Sequence, residues 1–237
     1  MDDMQMRTWA EVDLSDLEHN YRALRGLLPR DCRFLGVVKA NAYGHGAVPV
    51  AKRLEALGAE YLAVACLEEA GELRGAGIQT PILILGATPA ADAPRLLELE
   101  VTQAVGDLET AQALSRAAQA AGKRLKVHLK ADTGMSRLGF LVREGHFDTG
   151  VESIAAACAL PGLEAEGIFT HFAVSDEDDR DSEAYTRAQF DVFTRVLDAL
   201  AAGGRTFAIR HCANSGALAR YPEMYLDMVR PGIALYG

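Results

Sequence analysis

An alternation repeated along almost the whole chain constrains its fold more than any other feature. Eight short apolar runs, Phe34–Lys39, Tyr61–Ala65, Pro81–Leu85, Thr102–Val105, Leu125–Lys130, Ala165–Thr170, Phe207–Cys212 and Leu226–Val229, read as strands. Between them, Val48–Leu57, Glu68–Ala76, Pro89–Leu99, Leu108–Ala121, Thr149–Ala159, Tyr185–Ala202 and Ser215–Arg220 have helical periodicity. Gly58, Gly77, Gly122 and Gly203 stand where helix C-terminal glycines belong. Strands that alternate with helices pair in parallel, and eight of them predict an α/β fold of the closed (β/α)8, TIM-like barrel type.

Gly237 follows the last strand too closely for an eighth helix. A helix with Leu17, Tyr21, Leu24 and Leu28 on one face precedes the first strand and is expected to fill that slot. Ser15 and Glu18 form a capping-box pattern at its start, and Pro29 marks its stop. The competing fold is an open doubly wound sheet, which usually carries G-x-G-x-x-G after its first strand; the Gly44-His45-Gly46 turn lacks that pattern. Thr8–Asp13 alternates and reads as a further strand, so residues 1–14 are expected to form an N-terminal strand or arm and residues 15–237 the barrel domain.

A formal charge of −9 argues against nucleic acid or an anionic membrane surface as a partner. No apolar run is long enough to span a bilayer, and Met1-Asp2-Asp3-Met4 opens no signal peptide. Cys32, Cys66, Cys158 and Cys212 have no C-x-x-C or metal spacing; we read them as reduced thiols of a cytoplasmic protein and expect no metal. The acidic run Ser175–Asp181 reads as a solvated loop and helix entry.

In a parallel barrel the chemistry lies at the C-terminal ends of the strands. There the first strand delivers Lys39 and Tyr43, the fifth Lys130 and then Arg137, and the sixth His171. The seventh delivers His211, Asn214 and Ser215, and the eighth Arg230, Gly232 and Ile233. Phosphate often binds between the last two of these loops, where Ser215 offers a hydroxyl and Gly232 and Ile233 offer main-chain N–H groups. A lysine aimed into a cleft beside such a site suggests a Schiff base to pyridoxal 5′-phosphate. Burial and neighbouring cations would favour its neutral amine. Tyr43 can reach the phosphate and His171 the ring. Arg230 can point at the ring nitrogen, where a permanent cation would donate a hydrogen bond and keep its proton.

The run Val37-Val38-Lys39-Ala40-Asn41-Ala42-Tyr43-Gly44-His45-Gly46 resembles the cofactor-attachment signature of bacterial alanine racemases. Asp132–Gly139, Thr170-His171-Phe172, Asn214-Ser215 and Val229–Gly237 are similar to the family's further motifs, in the same order. The resemblance implies an isomerase that interconverts L- and D-alanine and supplies D-alanine for peptidoglycan, with pyridoxal phosphate held by Lys39, one of two racemisation bases. It also implies Arg137 at the phenolic oxygen and substrate carboxylate, Lys130 orienting Arg137 (as a carbamate in some members), and His211 bonded to Arg230. Tyr43, Ser215, Gly232 and Ile233 would hold the phosphate, Asn214 would lie beside them and His171 against the ring. Family members are homodimers in which a β-rich second domain supplies the second base, a tyrosine, to the partner subunit. None of the seven tyrosines here matches it, so weak or absent racemisation by these residues alone is expected.

Taken singly the residues have plainer readings. Lys39 alone would be a surface lysine, Lys130 an ordinary ion-pair partner, and Arg230 a partner of Asp227 or Asp132. His171 and His211 would be core histidines, and Asn214-Ser215 a helix cap. His19, His128 and His146 show no ligand spacing and receive no function. A non-catalytic pyridoxal phosphate carrier and a serine-preferring racemase are the alternative functions; the former has no need of a carboxylate-binding Arg137.

Overall fold

The computed structural model of the chain describes residues 9–237. Its strands are β1 (Arg33–Val37), β2 (Tyr61–Val64), β3 (Ile82–Ile84), β4 (Thr102–Val105), β5 (Leu125–Asp132), β6 (Phe140–Leu141), β7 (Leu163–Phe169), β8 (Ile209–His211) and β9 (Met228–Val229). They pair in parallel in the order β8-β7-β5-β4-β3-β2-β1-β9, with β6 a short addition to the end of β5. Two backbone hydrogen bonds close the seam between β8 and β9: Asp227 N–H to Arg210 O (3.0 Å) and Arg230 N–H to Ala213 O (2.8 Å). Outside it, Arg210 grips both carboxylate oxygens of Asp227 at 2.7 and 2.9 Å. The predicted eight-stranded barrel is therefore present.

Around it lie α1 (Leu14–Arg25), α2 (Lys39–Tyr43), α3 (Ala47–Ala56), α4 (Leu67–Gly75), α5 (Ala93–Glu98), α6 (Leu108–Ala120), α7 (Phe147–Cys158), α8 (Arg180–Ala202) and α9 (Ser215–Arg220). Helix α1 takes the expected eighth place. It buries Leu17 and Tyr21, sets the Tyr21 ring edge-on to Phe34 at 4.6 Å, and donates from the Asn20 side chain to Leu235 O at 3.1 Å.

Several local expectations are corrected. Helix α1 is capped not by Ser15 but by Asp13, whose carboxylate accepts from Ser15 N–H at 2.7 Å and also carries the charge favoured at a helix N-terminus. Glu18 instead pairs with Arg22 and Arg53. The helix ends at Gly26, ahead of Pro29. The strand expected over Thr8–Asp13 is not formed at residues 9–13, which pair with no described strand; Thr8 itself falls outside the described residues. After α8 the left-handed position is Gly204, with φ +75°, and not Gly203. Helix α8 also begins five residues early, at Arg180, because Asp179 accepts from Asp181 and Ser182 N–H at 3.0 Å each, which makes the acidic run a helix entry.

Side chains alternate across each strand, and the two faces differ in kind. Outward residues such as Phe34, Leu62, Ile82, Val127 and Leu129 pack with Leu54, Leu73, Leu114 and Phe193 of the helices. Inward, Leu35, Val37, Leu83, Phe169 and Met228 share the barrel with buried His128, Lys130, His211 and Arg230. Strand β7 holds an irregularity: its pairing steps from Val127↔Ala165 to His128↔Gly167, leaving Glu166 unmatched. This one-residue bulge shifts the phase of the strand, so Ala165 and Ile168 face the helices while Glu166 and Phe169 both turn inward.

Candidate active site

A cavity of about 390 Å³ opens at the C-terminal mouth of the barrel. It is lined by Lys39, Tyr43, Lys130, Arg137, His171, Asn214, Ser215, Arg230, Gly232 and Ile233, among others. The structure thus brings together every predicted site residue except His211, which lies fully buried behind Arg230.

Lys39 sits where β1 ends and the backbone reverses its hand. Ala40, Asn41, Ala42 and Tyr43 all have φ of 52–53°, one turn of left-handed helix. For L-residues other than glycine that conformation costs roughly 1–2 kcal/mol each. The Glu69 carboxylate holds the turn by accepting from Ala40 and Ala65 N–H at 2.7 Å each, and Asn41 Oδ1 accepts from Ala47 N–H at 2.8 Å. Tyr43 follows Lys39 by one turn and lines the same cavity. Its hydroxyl approaches Gly232 so closely that a Cβ there would lie 2.5 Å from it. Burial pushes the Tyr43 phenol up, so it remains a donor.

Ser215 Oγ accepts from Gly232 N–H at 2.9 Å and Ala234 N–H at 3.3 Å, while the Ile233 N–H makes no hydrogen bond among the described residues. Asn214 is the N-cap of α9, as its plainer reading held, accepting from Ala217 N–H at 3.0 Å and the Ser175 hydroxyl at 2.7 Å.

Arg230 pairs with neither Asp227, which binds Arg210, nor Asp132, whose carboxylate accepts from Gly134 and Ser136 N–H at 3.0 Å each. Its Nη1 donates to His211 Nδ1 at 2.9 Å. Its Nη2 donates to Thr170 O (2.8 Å), Cys212 O (3.1 Å) and His171 Nδ1 (3.2 Å). The Nε–H has no partner among the described residues, and Arg230 lines the cavity. Burial lowers the guanidinium to about 10, and it stays protonated at neutral pH.

Burial, then Arg230, Lys130, Arg137 and Lys39, push His171 down to about 3, so its ring is neutral. Lys130 makes no ion pair among the described residues, since Asp132 is occupied by its own loop; its ammonium lies 5.7 Å from the centroid of the Phe169 ring. Burial and the cations Arg137 and Arg230 lower it to about 8. Arg137 lies exposed at the rim. Among the described residues no group of three or more His, Cys, Asp or Glu could hold a metal ion.

The family model for the N-terminal domain of alanine racemase matches residues 12–237. The chain belongs to the alanine racemase family. It is 48% identical over 234 residues to an alanine racemase of Desulforamulus reducens, covering 99% of this chain and 61% of that protein. The solved alanine racemase of Clostridium difficile 630 in complex with cycloserine superimposes with a TM-score of 0.93 at 41% identity, covering 99% of this chain and 63% of the other. That of Bacillus anthracis with bound L-Ala-P gives 0.88 at 36% identity, over 100% and 59%. The chain spans about three fifths of the length of these relatives.

Sequence reasoning missed the supports of this site. Glu69 holds the lysine turn. Gln189 of α8 donates to Thr133 and to His171 O at 3.2 Å each, and accepts from Ala173 N–H at 2.9 Å. His128, given no function above, stands beneath His211 with its Nδ1 2.8 Å from His211 Nε2. Inward parity on β5, which places His128 between Lys126 and Lys130, is the signal that would have found it.

Proposed function

We propose that this chain carries the pyridoxal 5′-phosphate site of an enzyme that interconverts L- and D-alanine. The observation that carries the reading is the meeting of Lys39, Arg137 and Arg230 on one cavity, with Arg230 held as a cation by acceptors on three sides. The donor set fits the cofactor: an amine at one wall, a phenol and free main-chain N–H at another, and a glycine where any Cβ would strike Tyr43. When bound, pyridoxal phosphate supplies an aldehyde for attachment and an electron-withdrawing ring that acidifies the Cα–H of an amino acid.

Lys39 holds the cofactor and moves the proton at Cα on its own face. Tyr43, Ser215 and the Gly232 and Ile233 N–H groups bind phosphate, with Asn214 fixing the start of α9 beside them. Arg230 would donate to the ring nitrogen without releasing its proton, which would limit charge withdrawal and suit proton transfer over side reactions. His171 would lie against the ring, and Arg137 would bind the carboxylate of alanine. Lys130 would orient Arg137 only once carbamylated, when its new carboxylate can accept from the guanidinium, and His211 orients Arg230. Inversion needs a second proton-transfer group on the opposite face; we assign none within this chain and place it on a partner subunit of a homodimer. The four thiols, free in the fold, suit the cytoplasm.

The test is the visible spectrum of the chain with added pyridoxal phosphate, before and after borohydride, beside Lys39→Ala. A band fixed covalently at Lys39, absent from Lys39→Ala and perturbed by alanine, is expected. A band that survives in Lys39→Ala, or one indifferent to both alanine enantiomers, would overturn the reading, the latter in favour of a cofactor carrier.

A further inference from the structure

Beneath Arg230 a line of polar side chains runs down the barrel axis. His211 Nδ1 meets Arg230 at 2.9 Å, and His211 Nε2 meets His128 Nδ1 at 2.8 Å. Among the described residues His128 Nε2 has no hydrogen-bond partner; it faces Glu166 Oε2 at 3.4 Å, a charge–dipole contact without the alignment of a hydrogen bond. Glu166 Oε2 also accepts from the Tyr61 hydroxyl at 2.5 Å, and Oε1 from Lys126 Nζ at 3.2 Å. Both imidazoles are fully buried. Glu166, Tyr61 and Lys126 line a second cavity, of about 920 Å³, at the N-terminal end of the barrel.

The protons on this line have one consistent arrangement. Arg230 can only donate, so its 2.9 Å contact is a hydrogen bond only when His211 Nδ1 is bare. A neutral His211 then carries its proton on Nε2 and donates it to His128. That leaves His128 Nδ1 bare and its remaining proton on Nε2, beside the Glu166 carboxylate. Burial favours the neutral form of both rings, and the facing His128, Tyr61 and Lys126 hold Glu166 down at about 2, so the line ends in an anion. Every N–H points away from Arg230.

Two backbone irregularities serve this geometry. The bulge in β7 inserts Glu166 itself, turning its side chain inward where regular pairing would leave no residue to do so without reversing Ile168 and Phe169. The next residue is Gly167, where a Cβ would lie 2.7–2.8 Å from three atoms of the His128 ring. We propose that His128 and Glu166 are positioning residues: the Glu166 carboxylate fixes His128, and through it His211, as Nε2–H tautomers, so that His211 always presents an acceptor to Arg230. The inference rests on the reading of Arg230 as a cofactor contact for its purpose, and on this chain's own hydrogen bonds for its substance.

Tautomers are read directly from long-range ¹H–¹⁵N correlation of the histidine rings in the chain without cofactor. In the unsubstituted protein both His128 and His211 are expected as neutral Nε2–H. Glu166→Leu, which removes the acceptor, is expected to lose the single tautomer at both rings. Glu166→Gln, which keeps an acceptor oxygen, is expected to retain it. A His211 that is Nδ1–H or cationic in the unsubstituted protein would overturn the proposal even if no variant folds. So would a folded Glu166→Leu with both rings unchanged. With pyridoxal phosphate added, a Glu166→Leu spectrum unaltered despite flipped tautomers would leave the relay standing and remove instead the reading of Arg230 as the ring-nitrogen contact.

Discussion

The two faces of this barrel obey different rules. Between strands and helices nearly everything is aliphatic or aromatic: Phe34, Leu54, Leu62, Leu73, Ile82, Val127 and Phe193. Inside the strands, Lys130, His211, Arg230 and His128 are buried among apolar residues such as Val37, Leu83 and Met228, with Phe169 stacked on His211 at 4.8 Å. The outer layer is generic and sets stability. The inner layer is specific and sets chemistry, at a cost in desolvated charge that the outer layer must offset.

That division can be broken from either side. The largest effect belongs outside. Phe193→Ala, at a fully buried helix position, should lose about 3–5 kcal/mol of stability by denaturant titration. The fraction still folded should bind pyridoxal phosphate at Lys39 as before; loss of the covalent band in folded protein would show that the layers are not separable.

Inside, the sign reverses. The Lys130 amine falls from the ordinary 10.5 to about 8 on folding, so below pH 8 the fold holds an ammonium that it disfavours. Between about 8 and 10.5 the unfolded chain binds more protons, and this group therefore makes stability rise with pH across that window. Lys130→Met should remove that rise and stabilise the protein at pH 7 by up to about 3 kcal/mol, while impairing whatever Arg137 does. A pH series of urea titrations, variant against unsubstituted protein, measures both; a less stable Lys130→Met at pH 7 would contradict the picture of an interior charged at the expense of stability.

Gly167→Ala tests packing within the inner layer. Its Cβ would press on the His128 ring, which the barrel boxes in, and about 1–3 kcal/mol should be lost. Replacing His128 with a smaller residue in the same chain should recover part of that loss; if it recovers none, the clash lies elsewhere. The smallest effect belongs to the cap of α1: Asp13→Ala should lower Tm only modestly, with the cofactor site unaffected.

The same division explains what the sequence made legible. Periodicity is a property of faces that bury apolar surface, so the strands, the helices and the role of α1 as the eighth helix could be read from it. The residues at strand ends could be read because a mouth collects them. Lys39, Tyr43, Arg137, His171 and Arg230 do line one cavity. The barrel interior could not be read, because pairing there joins residues far apart in the chain, and an inward His128 has no pattern to distinguish it from any core histidine. The Glu166 bulge was hidden for a further reason. It breaks the two-residue rhythm on which strand reading depends, and only the partner strand shows which residue is extra. The expected strand at Thr8–Asp13 failed in the opposite way: alternation was present, but residues 9–13 have no described neighbour to pair with.

The turn after Lys39 bears on handedness itself. Ala40 to Tyr43 hold L-residues in the mirror image of the conformation they prefer. Their reflections would find it natural. Assembled by ligation with D-alanine at positions 40 and 42, the turn would keep its shape with the methyl groups relieved of their clash, gaining roughly 1–2 kcal/mol per position. At this one turn, beside a lysine proposed to act on both enantiomers of alanine, the backbone would be better suited by residues of the opposite hand.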